Sequence, residues 1–398
     1  MLPPPNHVPM HKSAIEVWLQ GIDYAERDAF SEFAATSLTS PTDVIPDLSP
    51  SSPRSSTTGR STTSFPSDSL SSSNVAKLGG SKNLVRTMAD LAANSKRVTR
   101  RSLDCGVPED VQDLFKKLDA ISHGENLIPA AAADRFERPH MPLRPWQIDN
   151  VTPYNINELE NEIDMAKEIS ERANSLAEEG HSELSWNCEV HSPILRLGLA
   201  RHDRARHFNI TTATICSTLV PISEKTGLVG YSLNLDPARD TPLSDAIDTF
   251  VATQPPDMRT ISPTMYDPVR WRPLAVVIET KRLNSSSDPL VQLTIWAQAT
   301  FARFRRLIYS KYGSDGICLL TLPLIAIRGH EWHLWFSHDT ARTFELYGPL
   351  KIGSTETLMN IFKLIRSLRT LSEWIHTEFY VWIESAFGLP LGAKDTEG

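Results

Sequence analysis

The stretch that most constrains this chain is Leu274-Ala275-Val276-Val277-Ile278-Glu279-Thr280-Lys281. A short apolar run with β-branched residues, closing in charged positions, predicts a buried strand that surfaces at its C-terminal end. Successive strand side chains point to opposite faces, so Glu279 and Lys281 share one face and Thr280 takes the other. A carboxylate and an ammonium side by side at a strand end suit metal-dependent phosphodiester chemistry. The carboxylate holds a divalent ion and the lysine orients or polarises the attacking water. An isolated Glu-x-Lys is equally well an ordinary ion pair, so its meaning rests on what surrounds it.

The 398 residues suffice for one large domain with tails, or for two domains. The composition, 40% hydrophobic and 22% charged, fits a globular protein with a polar appendage. A formal net charge of -8 excludes a chain-wide electrostatic grip on nucleic acid, though not a local basic surface. Cys105, Cys188, Cys216 and Cys318 are scattered and form no Cys-x-x-Cys pair. Neither a zinc ribbon nor a disulfide framework is expected, and a reducing compartment follows. The proline-rich Met1–Pro9 has no apolar core of a secretory signal. The longest apolar run, Ile317 to Ile327, is too short to span a bilayer. An intracellular protein, nuclear or cytoplasmic and without a membrane partner, is expected. The Lys96-Arg97 and Arg100-Arg101 pairs could serve nuclear import, though basic clusters this short are common by chance.

A short helix is predicted over Lys12 to Phe33. Residues 37–74 collapse to Ser, Thr and Pro and cannot bury enough apolar surface to offset ordering entropy. Helices are predicted over Val85–Asn94, Pro108–Ile121 and Asn155–Glu179, the last capped by Gly180. Residues 182–197 read as one helix that must kink or start near Pro193. Strands are predicted at His207–Leu219, Gly227–Leu235, Leu274–Lys281, Ile317–Arg328 and Glu331–His338. Helices follow at Pro289–Tyr312 and Ser354–Trp374, the latter capped by Ser354 or Thr355. This order predicts an α/β fold with a mixed sheet flanked by helices.

Several pieces occur in a specific order: Trp186-Asn187 with Glu189-Val190-His191; Val229-Gly230-Tyr231; Ile278-Glu279-Thr280-Lys281; Gln292-Leu293 and Trp296; Gly329-His330-Glu331-Trp332; and a last helix ending at Leu371 and Trp374. Together they resemble the PD-(D/E)XK nuclease-like domain found in a large set of fungal proteins. The resemblance implies a restriction-endonuclease-like mixed β-sheet core. Composition leaves residues 1–83 as a mostly disordered Ser/Thr/Pro-rich region, and the resemblance covers the domain over 84–389, with a helical part at 84–180 and an α/β core at 181–389. The resemblance also implies Glu189 and Glu279 as metal ligands, Lys281 and Gln292 as catalytic partners, Mg²⁺ or Mn²⁺ as cofactor, and DNA or RNA as substrate. The family's strand Asp falls on Gly230, which leaves the metal site incomplete. The alternative is a catalytically inactive nuclease fold acting in nucleic-acid or protein binding. Asp236 shares the Gly230 face but lies roughly 20 Å along an extended strand, too far to substitute.

Other groupings carry bland readings. His191 reads as a packed core histidine. His330-Glu331-Trp332-His333 is one residue short of a zinc-peptidase signature and lies in a strand. His202-Asp203 with His207 reads as a solvated loop. Arg270, Arg272, Lys281, Arg282, Arg303, Arg305, Arg306 and Lys311 cluster in sequence and could neutralise phosphates.

Overall fold

The computed structural model describes residues 87–92, 96–137, 142–200, 204–220, 228–313, 317–340 and 342–390. The chain divides into two units, Met1–Ser81 and Lys82–Gly398, and every described residue belongs to the second. The expected 12–33 helix, the Ser/Thr/Pro-rich stretch and His202-Asp203 lie outside the described residues.

The elements run α1 (Met88–Ala92), β1 (Arg97–Arg101), α2 (Gln112–His123), β2 (Ile128–Pro129), α3 (Ala133–Phe136), β3 (Ile148–Asp149) and α4 (Ile156–Glu178). Then come α5 (Glu183–Trp186), a π-turn (Asn187–His191), α6 (Ser192–Leu199), β4 (Ala205–Asn209), β5 (Tyr231–Leu235), α7 (Pro242–Thr253) and β6 (Leu274–Lys281). The chain continues through α8 (Pro289–Tyr312), β7 (Leu322–Arg328), β8 (Glu331–Asp339), β9 (Thr343–Ser354), α9 (Leu358–Trp374), a second π-turn (Ile375–Phe379) and α10 (Tyr380–Ala386).

Seven strands form one mixed sheet in the order β1-β9-β8-β7-β6-β5-β4. β6 pairs antiparallel with β5 and parallel with β7. Its residues are buried from Leu274 to Thr280, so both faces are covered, and the sequence accordingly shows no alternation there. The long helix α8 packs against β6 and β7. It begins at Pro289 with the Asp288 carboxylate accepting from Leu290 N–H, a start set by proline geometry and a cap.

Three expectations change in physically readable ways. Residues 182–197 are not one regular helix. The Ser192 N–H bonds to the Asn187 carbonyl five residues back, which widens the coil just before Pro193, a residue that offers no N–H of its own. The strand expected over His207–Leu219 ends at Asn209, whose side-chain oxygen accepts from the Thr211 N–H and hydroxyl and turns the chain. The last long helix starts at Leu358, because Thr357 rather than Ser354 or Thr355 accepts from Asn360 N–H. β1, α7 and β9 were not expected at all.

Helices α6 and α9 approach closely because residue 198 is glycine. A Cβ there would lie 2.5 Å from Leu368 Cβ, inside a buried contact. Gly198→Val is expected to cost about 1–3 kcal/mol of stability through overpacking, read as a lower urea midpoint with an unchanged slope.

Candidate active site

The C-terminal end of β6 carries the polar group of interest. Glu279 is 1% exposed on a strand otherwise apolar up to that point. Lys281, two residues on and on the same face, places its ammonium against Glu279 Oε1. Charge attraction and a hydrogen bond from the ammonium both act in this contact. Burial pushes the Glu279 carboxyl up to about 7. The Lys281 charge and the Gly230 backbone N–H oppose that rise, while the negative charge of Glu183 adds to it.

Glu183, which the sequence did not single out, also reaches this strand end. It opens α5, whose N-cap Ser182 accepts from Ser185 N–H. Glu183 Oε2 lies 3.8 Å from Lys281 Nζ, and Glu183 Oε1 accepts from Thr280 Oγ1 at 3.3 Å. Lys281 thus sits between two carboxylates. Glu189, expected from the resemblance to fill this role, is instead ion-paired with Arg172 of α4. Six residues separate the two glutamates, about 9 Å of helical rise, and the π-turn between them resets the helix face. The only local signal was the capping serine at 182 followed by an acidic first-turn residue.

Gln292 stands in the first turn of α8, the helix packed on β6. Its Oε1 is buried without a hydrogen-bond partner. The loop joining Lys281 to this helix is fixed by Arg328, whose guanidinium donates to the carbonyls of Ser285 and Ser287. Arg328 is the register partner of Lys281 on β7, and the Gly329 N–H donates to the Lys281 carbonyl at 2.9 Å. Strand end, loop and helix start therefore form one braced corner.

The Gly230 position is walled. A Cβ built there would lie 2.9 Å from Thr280 Oγ1 and 3.0 Å from Thr280 Cγ2. A bulge between Leu233 and Asn234 does not bring Asp236 forward, because that carboxylate pairs with Arg206 and Arg272 near the start of β6.

The other groupings resolve as structure. His191 is buried between Trp186 and Trp332, bonded through Nδ1 to Asn187 Oδ1, and pushed down to about 3 by burial. It is a neutral core residue. His330 bonds Thr355, and His333 faces Glu331 along β8. Among the described residues no group of three or more His, Cys, Asp or Glu side chains could hold a metal. The arginine cluster disperses: Arg303 is fully buried under Phe250, Arg305 pairs with Asp339, Arg272 with Asp236 and Arg270 with Asp267. Lys281 and exposed Arg282 remain at the corner.

The donors present fit a hard divalent cation that keeps part of its water shell. Magnesium is commonly held by one or two carboxylates together with waters and substrate phosphates. Glu279 and Glu183 provide two carboxylates. Gln292 Oε1, buried at the start of the helix packed on β6 and without a hydrogen-bond partner, is a third oxygen on the same helix–strand layer.

A mixed sheet flanked by helices, with Glu-x-Lys at the end of a central strand, defines a nuclease-like α/β domain. The chain belongs to the PD-(D/E)XK nuclease superfamily, whose family model matches residues 131–380, more than half of the chain. No curated protein matches it. No helix among the described residues is long and apolar enough to cross a membrane.

The raised Glu279 carboxyl has a definite consequence for stability. The folded state holds this proton more tightly than the unfolded chain, whose carboxyl titrates near 4.5. The stabilisation is complete below pH 4.5 and is lost as pH rises through about 7. Glu279→Gln lacks this loss. Between pH 4.5 and 8, wild type is expected to lose about 2–3 kcal/mol relative to the variant, measured by urea denaturation of both proteins at each pH in chelator.

Proposed function

We propose that the domain over residues 84–389 hydrolyses phosphodiester bonds in DNA or RNA with Mg²⁺ or Mn²⁺. The observation that carries this reading is the placing of Lys281 between Glu279 and Glu183 at a braced strand end. Glu279 and Glu183 would hold the cation, with Gln292 contributing an oxygen or orienting a water. A divalent ion held there would supply Lewis acidity toward a phosphoryl oxygen and would lower the pKa of an attacking water.

The remaining work falls to the chain's own groups. Lys281 is held at the reacting corner by two carboxylates and offers ammonium protons to charge that develops on the phosphoryl oxygens. Glu279 must be ionised to bind a cation, so cation affinity should rise with pH through about 7. Arg282, exposed and next in the chain, is suited to a backbone phosphate of the substrate.

The walled Gly230 favours a second reading, a nuclease fold that binds nucleic acid or protein without cleaving. The two differ in a plasmid and single-stranded oligonucleotide assay with Mg²⁺ or Mn²⁺. The catalytic reading expects cleavage that falls about 100-fold or more in Lys281→Ala, Glu279→Ala and Glu183→Ala. Glu189→Ala is expected to cleave like wild type. Equal cleavage by wild type and Lys281→Ala would show a contaminating nuclease. Mn²⁺ titration calorimetry that gives no heat would support the binding-only reading.

A further inference from the structure

The groups around Thr280 form a connected set that the proposed chemistry does not by itself require. Thr280 is fully buried, and its side chain lies on the opposite face of β6 from Glu279 and Lys281. Its hydroxyl donates to Glu183 Oε1 at 3.3 Å. Both its Oγ1 and its Cγ2 stand where a side chain at position 230 would begin, within 3.0 Å of the Cβ that glycine lacks. Valine or threonine side chains are stiff about χ1, and this one is enclosed, so it cannot swing aside cheaply.

Glu183 needs such a partner. Its side chain is 37% exposed, on the first residue of a four-residue helix, and 3.8 Å from Lys281. A half-exposed glutamate with only a loose ion pair would sample many rotamers, and fixing it costs about 1–2 kcal/mol of entropy. The Thr280 hydroxyl is the directed bond that fixes it.

We propose that Thr280 is a positioning residue that holds Glu183 against Lys281, and that glycine at 230 is required to make room for it. This rests on the reading of Glu183 as a site carboxylate. It adds that the missing side chain at 230 and the position of Glu183 are one feature: the space on the strand was given to the threonine that aims the helix carboxylate. A lone Gly230→Asp change would then not restore a site. It would displace Thr280 and release Glu183.

The test reads Glu183 itself, by ¹³C relaxation of its side-chain methylenes in the full chain carrying ¹³C-labelled glutamate, in chelator. Thr280→Val keeps the volume and removes the donor, so the Glu183 side chain is expected to lose order. Thr280→Ser keeps the donor and is expected to retain the wild-type order. Gly230→Ala displaces the Thr280 side chain and is expected to behave like Thr280→Val. Glu183 order unmoved by Thr280→Val, or lost equally in Thr280→Ser, overturns the proposal.

Mn²⁺ calorimetry on the same proteins separates this from the metal reading. Loss of affinity of about fivefold or more in Thr280→Val, with Thr280→Ser within about twofold of wild type, supports both. Glu183 order that depends on the Thr280 hydroxyl, with no Mn²⁺ heat in wild type, leaves Thr280 as the positioning residue and removes the cation.

Discussion

A carboxylate buried at the end of an apolar strand is the constraint from which the rest of this corner follows. Placing an ionised group in such surroundings costs several kcal/mol unless a partner of opposite charge sits close. Strand geometry offers few places for that partner, because only positions two apart share a face. Lys281 takes the one available toward the strand end, where its ammonium remains partly wet at 18% side-chain exposure. Glu183 of α5 adds a second, looser anion 3.8 Å from that ammonium, and its charge raises the Glu279 carboxyl further. A well-packed apolar pair would stabilise the sheet at least as well as this ionic group. Stability alone therefore does not account for a charged cluster at the mouth of a central strand.

The bracing around the cluster has the same logic. An ion pair with a carboxylate poised near neutrality is useful only if its neighbours hold still. Arg328 lies level with Lys281 on the adjacent strand, and it uses its donors on backbone carbonyls of the connecting loop, not on an acid. Asp288, at the end of that loop, caps α8 and also pairs with Arg100 of β1 at 2.6 Å. The start of the helix bearing Gln292 is therefore tied to both β7 and the far edge strand. Precision here comes from long-range links between elements, because the loop itself, 282–288, is largely exposed and short of apolar anchors.

How much of this the sequence disclosed depends on which interactions are local. β6 and α8 were readable to their ends, since an uninterrupted apolar run and a proline-led cap are written in adjacent residues. The long helix α4 was readable from Asn155 as cap and Gly180 beyond its end. β9 was hidden by Gly348-Pro349, a pair that normally marks a turn; here it sits within a strand whose register with β8 shifts between Leu334 and Phe336. α7 was missed although Thr241 and Pro242 form a good helix start. Within the site, Glu279 and Lys281 were legible because their relation is a strand repeat. Glu183 was not, because motif order pointed to Glu189, six positions further along, and a π-turn lies between Glu183 and Ser192.

The arginines show the opposite failure, a signal present in sequence and absent in space. Eight cations lie between residues 270 and 311, and counted along the chain they look like a phosphate-binding stripe. Helix and strand geometry send most of them elsewhere. Arg303 points inward to the carbonyls of Met258 and Thr260 and to Gln254, with its charge held down to about 10 by burial. Arg305 and Lys96 share the buried Asp339 and fasten α8 to the end of β8. What remains near Glu279 is Lys281 and Arg282, in a chain whose net charge is -8. A nucleic acid approaching this surface would meet few free cations, so the counterion-release contribution to binding would be small. Affinity would then have to come from the corner itself, where two carboxylates repel a phosphate until a cation joins them. On the proposed reading substrate binding and cation binding would be one event, and the protonation of Glu279 would govern both.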